Sequence, residues 1–138
     1  LGVQSSIENN TLHLQKQALH STSIQLDLSN APDIAQTIVV SCYGLGIACD
    51  IKGLHTLKIK ETDRLVALQN ELTKLGATIE ITDRSLHLYK RNNPIRPNVL
   101  IKTYHDHRMA MAYAPLALLV PIRIQDADVV TKSYPGFW

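Results

Sequence analysis

Apolar residues change their spacing along the chain, and each change predicts an element. In "TLHLQKQ" Leu12 and Leu14 alternate with polar neighbours, and in "SIQLDLS" Ile24, Leu26 and Leu28 do the same. A period of two predicts half-buried strands. After Asn30 the period lengthens. Pro32 suits a first helical turn, Ala35, Ile38, Cys42 and Leu45 recur at helical steps, and Gly44 and Gly46 close the run. "CDIKGLHTLKI" returns to an extended pattern with a turn near Gly53.

"LKIKETDRLVALQNELTKLG" carries the clearest helix. Thr62 or Asp63 can cap it, Leu65, Leu68, Leu72 and Leu75 form one stripe, and Gly76 stands at the expected stop. "ATIEITDRSLHLYK" predicts a hairpin turning near residues 83–85, "NNPIRPN" a loop, and residues 99–102 a short strand. "DHRMAMAYAPLALL" predicts a third helix, capped by Asp106 and kinked or shortened by Pro115. "IRIQDADVV" reads as a closing strand. The resulting order is mixed α/β, and every helix opens on charged residues. That recurrence predicts a repeated unit whose helix N-termini face one site.

Composition narrows the partners. With 138 residues, 45% of them hydrophobic, the chain can bury one ordinary core. A net charge of +2 and 5% aromatics give no footing for nucleic acid. Even "MAMAYAPLALLVPI" is too short and proline-broken to span a bilayer, and the opening residues carry no signal-peptide pattern. Neither nucleic acid nor membrane is an expected partner. Cys42 and Cys49 read as small core residues of a reduced, cytoplasmic protein. A first residue Leu1 and a last stretch "KSYPGFW" ending on aromatics predict a piece of a longer chain.

Charge placement changes the picture more. A helix N-terminus disfavours cations, yet Lys60 and Arg64 flank the start of the second helix and Arg108 lies in the first turn of the third. If Lys60 and Arg64 share a helical face four residues apart, they can converge on one anion, with Glu61 beside them. Arg suits bidentate carboxylate or phosphate recognition, and Lys can also exchange protons. The competing reading is a solvated helix end with ordinary surface pairs. Asp33 is good first-turn chemistry in itself, and at the mouth of a cleft it can also accept a proton from a hydroxyl. Lys132 is a lone cation after a strand. His105 and His107 lack a third marked ligand, so a metal site is the weaker reading, and His107 is expected to be structural. Two acids and four cations near element ends fit a substrate with several negative charges and a proton-transfer step.

Three ordered stretches, "LKIKETDRLVALQNELTKLGA", "TYHDHRMAMAYAPLAL" and "VVTKSYPGFW", closely resemble the C-terminal part of the EPSP synthase family. The resemblance implies βαβαββ units in a prism-like, inside-out α/β barrel, helices inward and sheets outward. About two such units of a C-terminal domain would lie in residues 1–138, without the N-terminal domain. It also implies transfer of the enolpyruvyl group of phosphoenolpyruvate to the 5-hydroxyl of shikimate 3-phosphate, with no cofactor and no metal. By similarity, Asp33 and Lys60 would contact the reacting hydroxyl, with Asp33 the proton acceptor, and Glu61 would serve the methylene carbon. Arg64 and Arg108 would hold the phosphoenolpyruvate carboxylate, and Lys132 its phosphate. Where His105 stands the family commonly has Asn. Thr56 replaces an Asn that some members use for shikimate 3-phosphate, and that role is not carried over. Without the N-terminal domain the chain alone is expected to be inactive. A relative acting on UDP-N-acetylglucosamine and a non-catalytic phosphoanion-binding module are the alternatives.

Overall fold

In a computed structural model, which describes residues 2–138, the chain begins with a hairpin of β1 (Val3–Glu8) and β2 (Thr11–Lys16). Its two-residue turn uses Asn9 and Asn10, both with positive φ, as such turns require. Sequence pattern predicts β2 but not β1, because Ser5 interrupts the apolar alternation of Val3 and Ile7. Val3, Ile7, Leu12 and Leu14 share one face of this hairpin and are exposed.

A complete βαβαββ unit follows. It comprises β3 (Ser23–Asp27), α1 (Ala35–Leu45), β4 (Ala48–Lys52), α2 (Arg64–Leu75), β5 (Ile79–Ile81) and β6 (Ser85–Leu88). The sheet order is β3-β4-β6-β5, with β3 parallel to β4 and the other pairs antiparallel. A second sheet pairs β7 (Val99–Ile101) with β8 (Ile122–Ile124) in parallel, connected through α3 (His107–Tyr113). One whole unit is therefore flanked by a hairpin before it and a βαβ segment after it.

Period two sorts the main sheet into faces. Cys49, Ile51, Leu86 and Leu88 point into the core and are buried, while Asp50 and His87 pair on the outer face. The helices cover the apolar face and pack on one another, α1 against both α2 and α3. Leu65, Leu68, Leu72 and Leu75 are all buried, so the predicted stripe is the core face of α2. Asp63, rather than Thr62, caps that helix, accepting from the Leu65 and Val66 N–H groups at 3.1 Å each.

Four expectations need correction. The stripe on α1 is wider and rotated: Gln36, Val39, Val40 and Tyr43 are buried with Ala35 and Cys42, whereas Leu45 is exposed. Gly44 lies inside α1, against Leu116 and Leu119, and Gly46 alone ends it. Residues His55–Ile59, expected to be extended, form a 3-10 helix. Its three-residue repeat places Leu54 and Leu57 together in the core, a spacing that resembles neither strand nor α-helix in a short window. The closing strand stops at Ile124, because Asp126 takes a left-handed conformation and Ala127–Lys132 coil into a 3-10 helix packed on α3. Pro115 does shorten the third helix, which tightens into a 3-10 segment, Ala114–Leu118.

Candidate functional site

Arg64 is the first residue of α2, and its side chain turns back into the protein with 2% exposure. A guanidinium so buried must be fully paired. Its Nε donates to Asp106 Oδ2 at 2.6 Å and its Nη2 to Asp106 Oδ1 at 3.4 Å. Nη1 donates to Asp33 Oδ1 at 2.8 Å, and Nη2 to Glu61 Oε2 at 2.7 Å. One planar fork thus gathers acids from the starts of all three helices. The shared edge expected from the charged helix starts is present.

Local chain chemistry delivers each partner. Asp33 sits in a 3-10 turn, Pro32–Ile34, which leads into α1. Its carboxylate also meets Lys60 Nζ at 3.3 Å and Arg108 Nη2 at 3.5 Å, and its carbonyl accepts from Arg108 Nη1 at 2.9 Å. Asp106, fully buried, caps α3 by accepting from the Arg108 N–H at 2.8 Å. Lys60 lies before the cap in extended backbone, so it does not share a helical face with Arg64. The two cations meet through Asp33 instead. The expected face was wrong because Asp63, not Lys60, marks where the helix begins.

The electrostatics follow from this crowding. Burial is the largest single influence on Asp33 and would raise its carboxyl. Arg108, Lys60 and Arg64 together outweigh it and hold the group below its ordinary value. Glu61 is held low chiefly by its own backbone N–H, with the charges of Arg64, Lys132 and His107 adding to it. Lys132 ends the last 3-10 helix, which packs on α3, and its charge reaches Glu61. Both acids are therefore kept ionised. Around them stand four cations, Lys60, Arg64, Arg108 and Lys132, against three carboxylates, Asp33, Glu61 and Asp106. Asp33, Lys60 and Arg108 keep about a third of their side-chain surface exposed, so the edge is open to a ligand. A multiply charged anion arriving there would meet Lys60 and Arg108 before the buried Arg64.

Sequence reading took Asp106 as a cap and missed it as the main partner of Arg64. The signal was faint: an Asp shortly before an Arg in each of the motifs "DR" and "DHR". The Thr56 hydroxyl is buried without a protein hydrogen-bond partner. Among the described residues no group of three or more His, Cys, Asp or Glu could hold a metal ion, and no helix is long and apolar enough to cross a membrane.

Known proteins resemble this chain in sequence and in fold. Residues 2–138 match the family EPSP synthase (3-phosphoshikimate 1-carboxyvinyltransferase). A 3-phosphoshikimate 1-carboxyvinyltransferase from Bacteroides fragilis is 41% identical over 140 residues, covering 100% of this chain and 34% of that protein. One from Nitrosomonas eutropha is 34% identical over 116 residues, covering 84% of this chain and 27% of that one. The chain spans about a third of the length of the curated relative from Bacteroides fragilis. In three dimensions it resembles an EPSP synthase from Acinetobacter baumannii, with a TM-score of 0.78 at 21% identity over 98% of this chain and 34% of that one. The enolpyruvyl transferase NikO from Streptomyces tendae gives 0.63 at 16% identity, over 97% and 30%. These likenesses establish the enolpyruvyl-transferase fold, with helices inward and sheets outward. Together with the match over residues 2–138, they mean that the chain belongs to the EPSP synthase family.

Proposed function

We propose that this chain is part of the C-terminal domain of an enzyme that transfers the enolpyruvyl group of phosphoenolpyruvate to the 5-hydroxyl of shikimate 3-phosphate. The observation that carries this reading is the Arg64 fork, which brings Asp33, Glu61 and Asp106 together at one open edge. In the reaction the hydroxyl oxygen bonds to C2 of phosphoenolpyruvate while its methylene carbon gains a proton. The C2–O bond to phosphate then breaks, phosphate leaves, and the methyl carbon returns a proton.

The roles are those the family resemblance implies, and the gathering of Asp33, Lys60, Glu61, Arg64 and Arg108 at one edge supports them. Arg64 and Arg108 take the phosphoenolpyruvate carboxylate and Lys132 its phosphate. Asp33, ionised and beside Lys60, accepts the proton of the hydroxyl. Before substrate binds, Asp33 is a poor base because three cations hold its pKa down. A substrate carboxylate that draws Arg64 and Arg108 to itself frees Asp33 from that pull and makes it more basic at the moment of need. Glu61 serves the methylene carbon, and its own backbone N–H, aided by Arg64, keeps it charged beforehand.

Exposed apolar surface supports an incomplete domain. Val3, Ile7, Leu12 and Leu14 on the hairpin, and Leu118 and Leu119 beside α3, form faces that further chain would cover. An N-terminal domain is expected to supply the remaining ligands for both phosphates and to exclude water. Free, buried Cys42 and Cys49 favour a reducing, cytoplasmic setting. The test is phosphate release from the two substrates, comparing the 138-residue chain with the full-length protein that carries it. Turnover by the long form and none by the short is the expected result. Full activity with UDP-N-acetylglucosamine in place of shikimate 3-phosphate would overturn the substrate assignment.

A further inference from the structure

Residues 103–106 join β7 to α3 through a turn that their side chains disfavour. The Asp106 N–H donates to the Thr103 carbonyl at 2.9 Å, and the central residues Tyr104 and His105 have φ of 55° and 57°. That is the pattern of a type I′ turn, whose centre ordinarily holds Gly, Asn or Asp. The turn at Asn9 and Asn10 obeys that preference. Tyr and His in succession do not, since a Cβ is strained in the left-handed region. Such a turn persists where surrounding contacts over-determine it.

The contact comes from α2. Glu71 is fully buried. Its Oε1 accepts from the Tyr104 hydroxyl at 2.8 Å, and its Oε2 accepts from the Lys102 N–H at 3.0 Å and pairs with Lys74. One acid therefore grips the chain just before the turn and again at its first central residue. Burial and the bond to Glu71 both make the Tyr104 hydroxyl less acidic, so it stays a donor. The turn ends at Asp106, which fixes Arg64 through Nε and Nη2 and opens the helix that carries Arg108.

We propose that Glu71 is a positioning residue for the anion site: it clamps Lys102 and Tyr104, holds the strained turn, and so sets Asp106, the plane of Arg64 and the first turn of α3. The inference rests on the function proposed above for that site. Losing the clamp leaves every site charge in place but lets the fork drift from the phosphoenolpyruvate carboxylate. Shikimate 3-phosphate meets this cluster only through Asp33 and Lys60, with further phosphate ligands expected from the N-terminal domain, and is affected far less.

Two variants of the full-length protein test this. Tyr104→Phe removes only the hydroxyl, and Tyr104→Phe with His105→Asn adds a residue that tolerates the left-handed region. The expected result is a KM for phosphoenolpyruvate raised about tenfold in the first, with the KM for shikimate 3-phosphate changed less than about twofold. The second variant should recover most of the loss. A phosphoenolpyruvate KM near wild type would overturn the proposal. So would an equal rise for both substrates, or no recovery on adding Asn. Wild-type turnover is the separate control. If the wild type does not use these substrates, the site reading fails. Hydrogen exchange at the Lys102 amide then decides the clamp: faster exchange in Tyr104→Phe supports it, and unchanged exchange refutes it.

Discussion

Arg91 and Arg64 stand at opposite kinds of helix end. Arg91 lies by the C-terminal turn of α1, where its Nε donates to the Tyr43 carbonyl at 3.2 Å and its guanidinium sits 5.8 Å from the centre of the Tyr43 ring. A cation there adds to the capping of the last carbonyls, which the Gly46 N–H begins, and suits the helix dipole. Arg64 lies at the N-terminal turn of α2, where the dipole repels it, and it is buried besides. Only the three acids around it make that position tenable. One cation serves the fold, and the other costs the fold something that the proposed binding site would require. The broken rule marks the site.

The largest expected effect tests that contrast directly. Arg64→Ala strands the buried carboxylate of Asp106, so it should destabilise by about 3–5 kcal/mol. Arg91→Ala removes bonds to carbonyls that water can replace, and should cost about 1 kcal/mol. Urea unfolding of both variants measures the difference, and equal losses would break the comparison.

A smaller effect belongs to the orderly ends. Gly46 and Gly76 close α1 and α2 at φ of 73° and 101°, and their nearest side-chain neighbours lie 3.6 Å from where a Cβ would stand. Space is ordinary there, so Gly46→Ala and Gly76→Ala should each cost about 1–2 kcal/mol, through backbone strain alone. A loss as large as that of Arg64→Ala would mean that packing, not conformation, sets these ends.

The same contrast explains what the sequence disclosed. The stripe from Leu65 to Leu75 and the stop at Gly76 were legible because local spacing and capping chemistry decide them. The 3-10 helix His55–Ile59 was not, because inward packing of Leu54 and Leu57 decides it. Asp33, Lys60, Glu61, Arg64 and Arg108 stood out as charges at element starts. The bond from Arg64 to Asp106 did not, since it joins residues 42 apart in sequence. Glu71 was hidden for a like reason: on a helix face it reads as solvent-facing, and only the returning strand and turn bury it.

The smallest effect is on pH dependence. Asp33 and Glu61 are held below their ordinary values of 3.8 and 4.5. A depressed folded-state pKa contributes stability that is complete above the unfolded value and lost as pH falls through the folded one. Acidification from about pH 5 toward pH 3 should therefore erode the stability difference between wild type and Asp33→Asn. A difference that stays constant over that range would show that Asp33 is not held down by Arg108, Lys60 and Arg64.

The central claim is that the helix starts form an anion site and the helix ends do not. Binding of phosphoenolpyruvate to the full-length protein, in the presence of shikimate 3-phosphate, tests it most directly in Arg108→Gln and Arg91→Gln. Arg108 is partly exposed, so its replacement leaves the buried cluster of Arg64 and Asp106 intact. The account predicts about a tenfold or greater loss of affinity for Arg108→Gln and a value within about twofold of wild type for Arg91→Gln. Equal affinities in the two variants would contradict it.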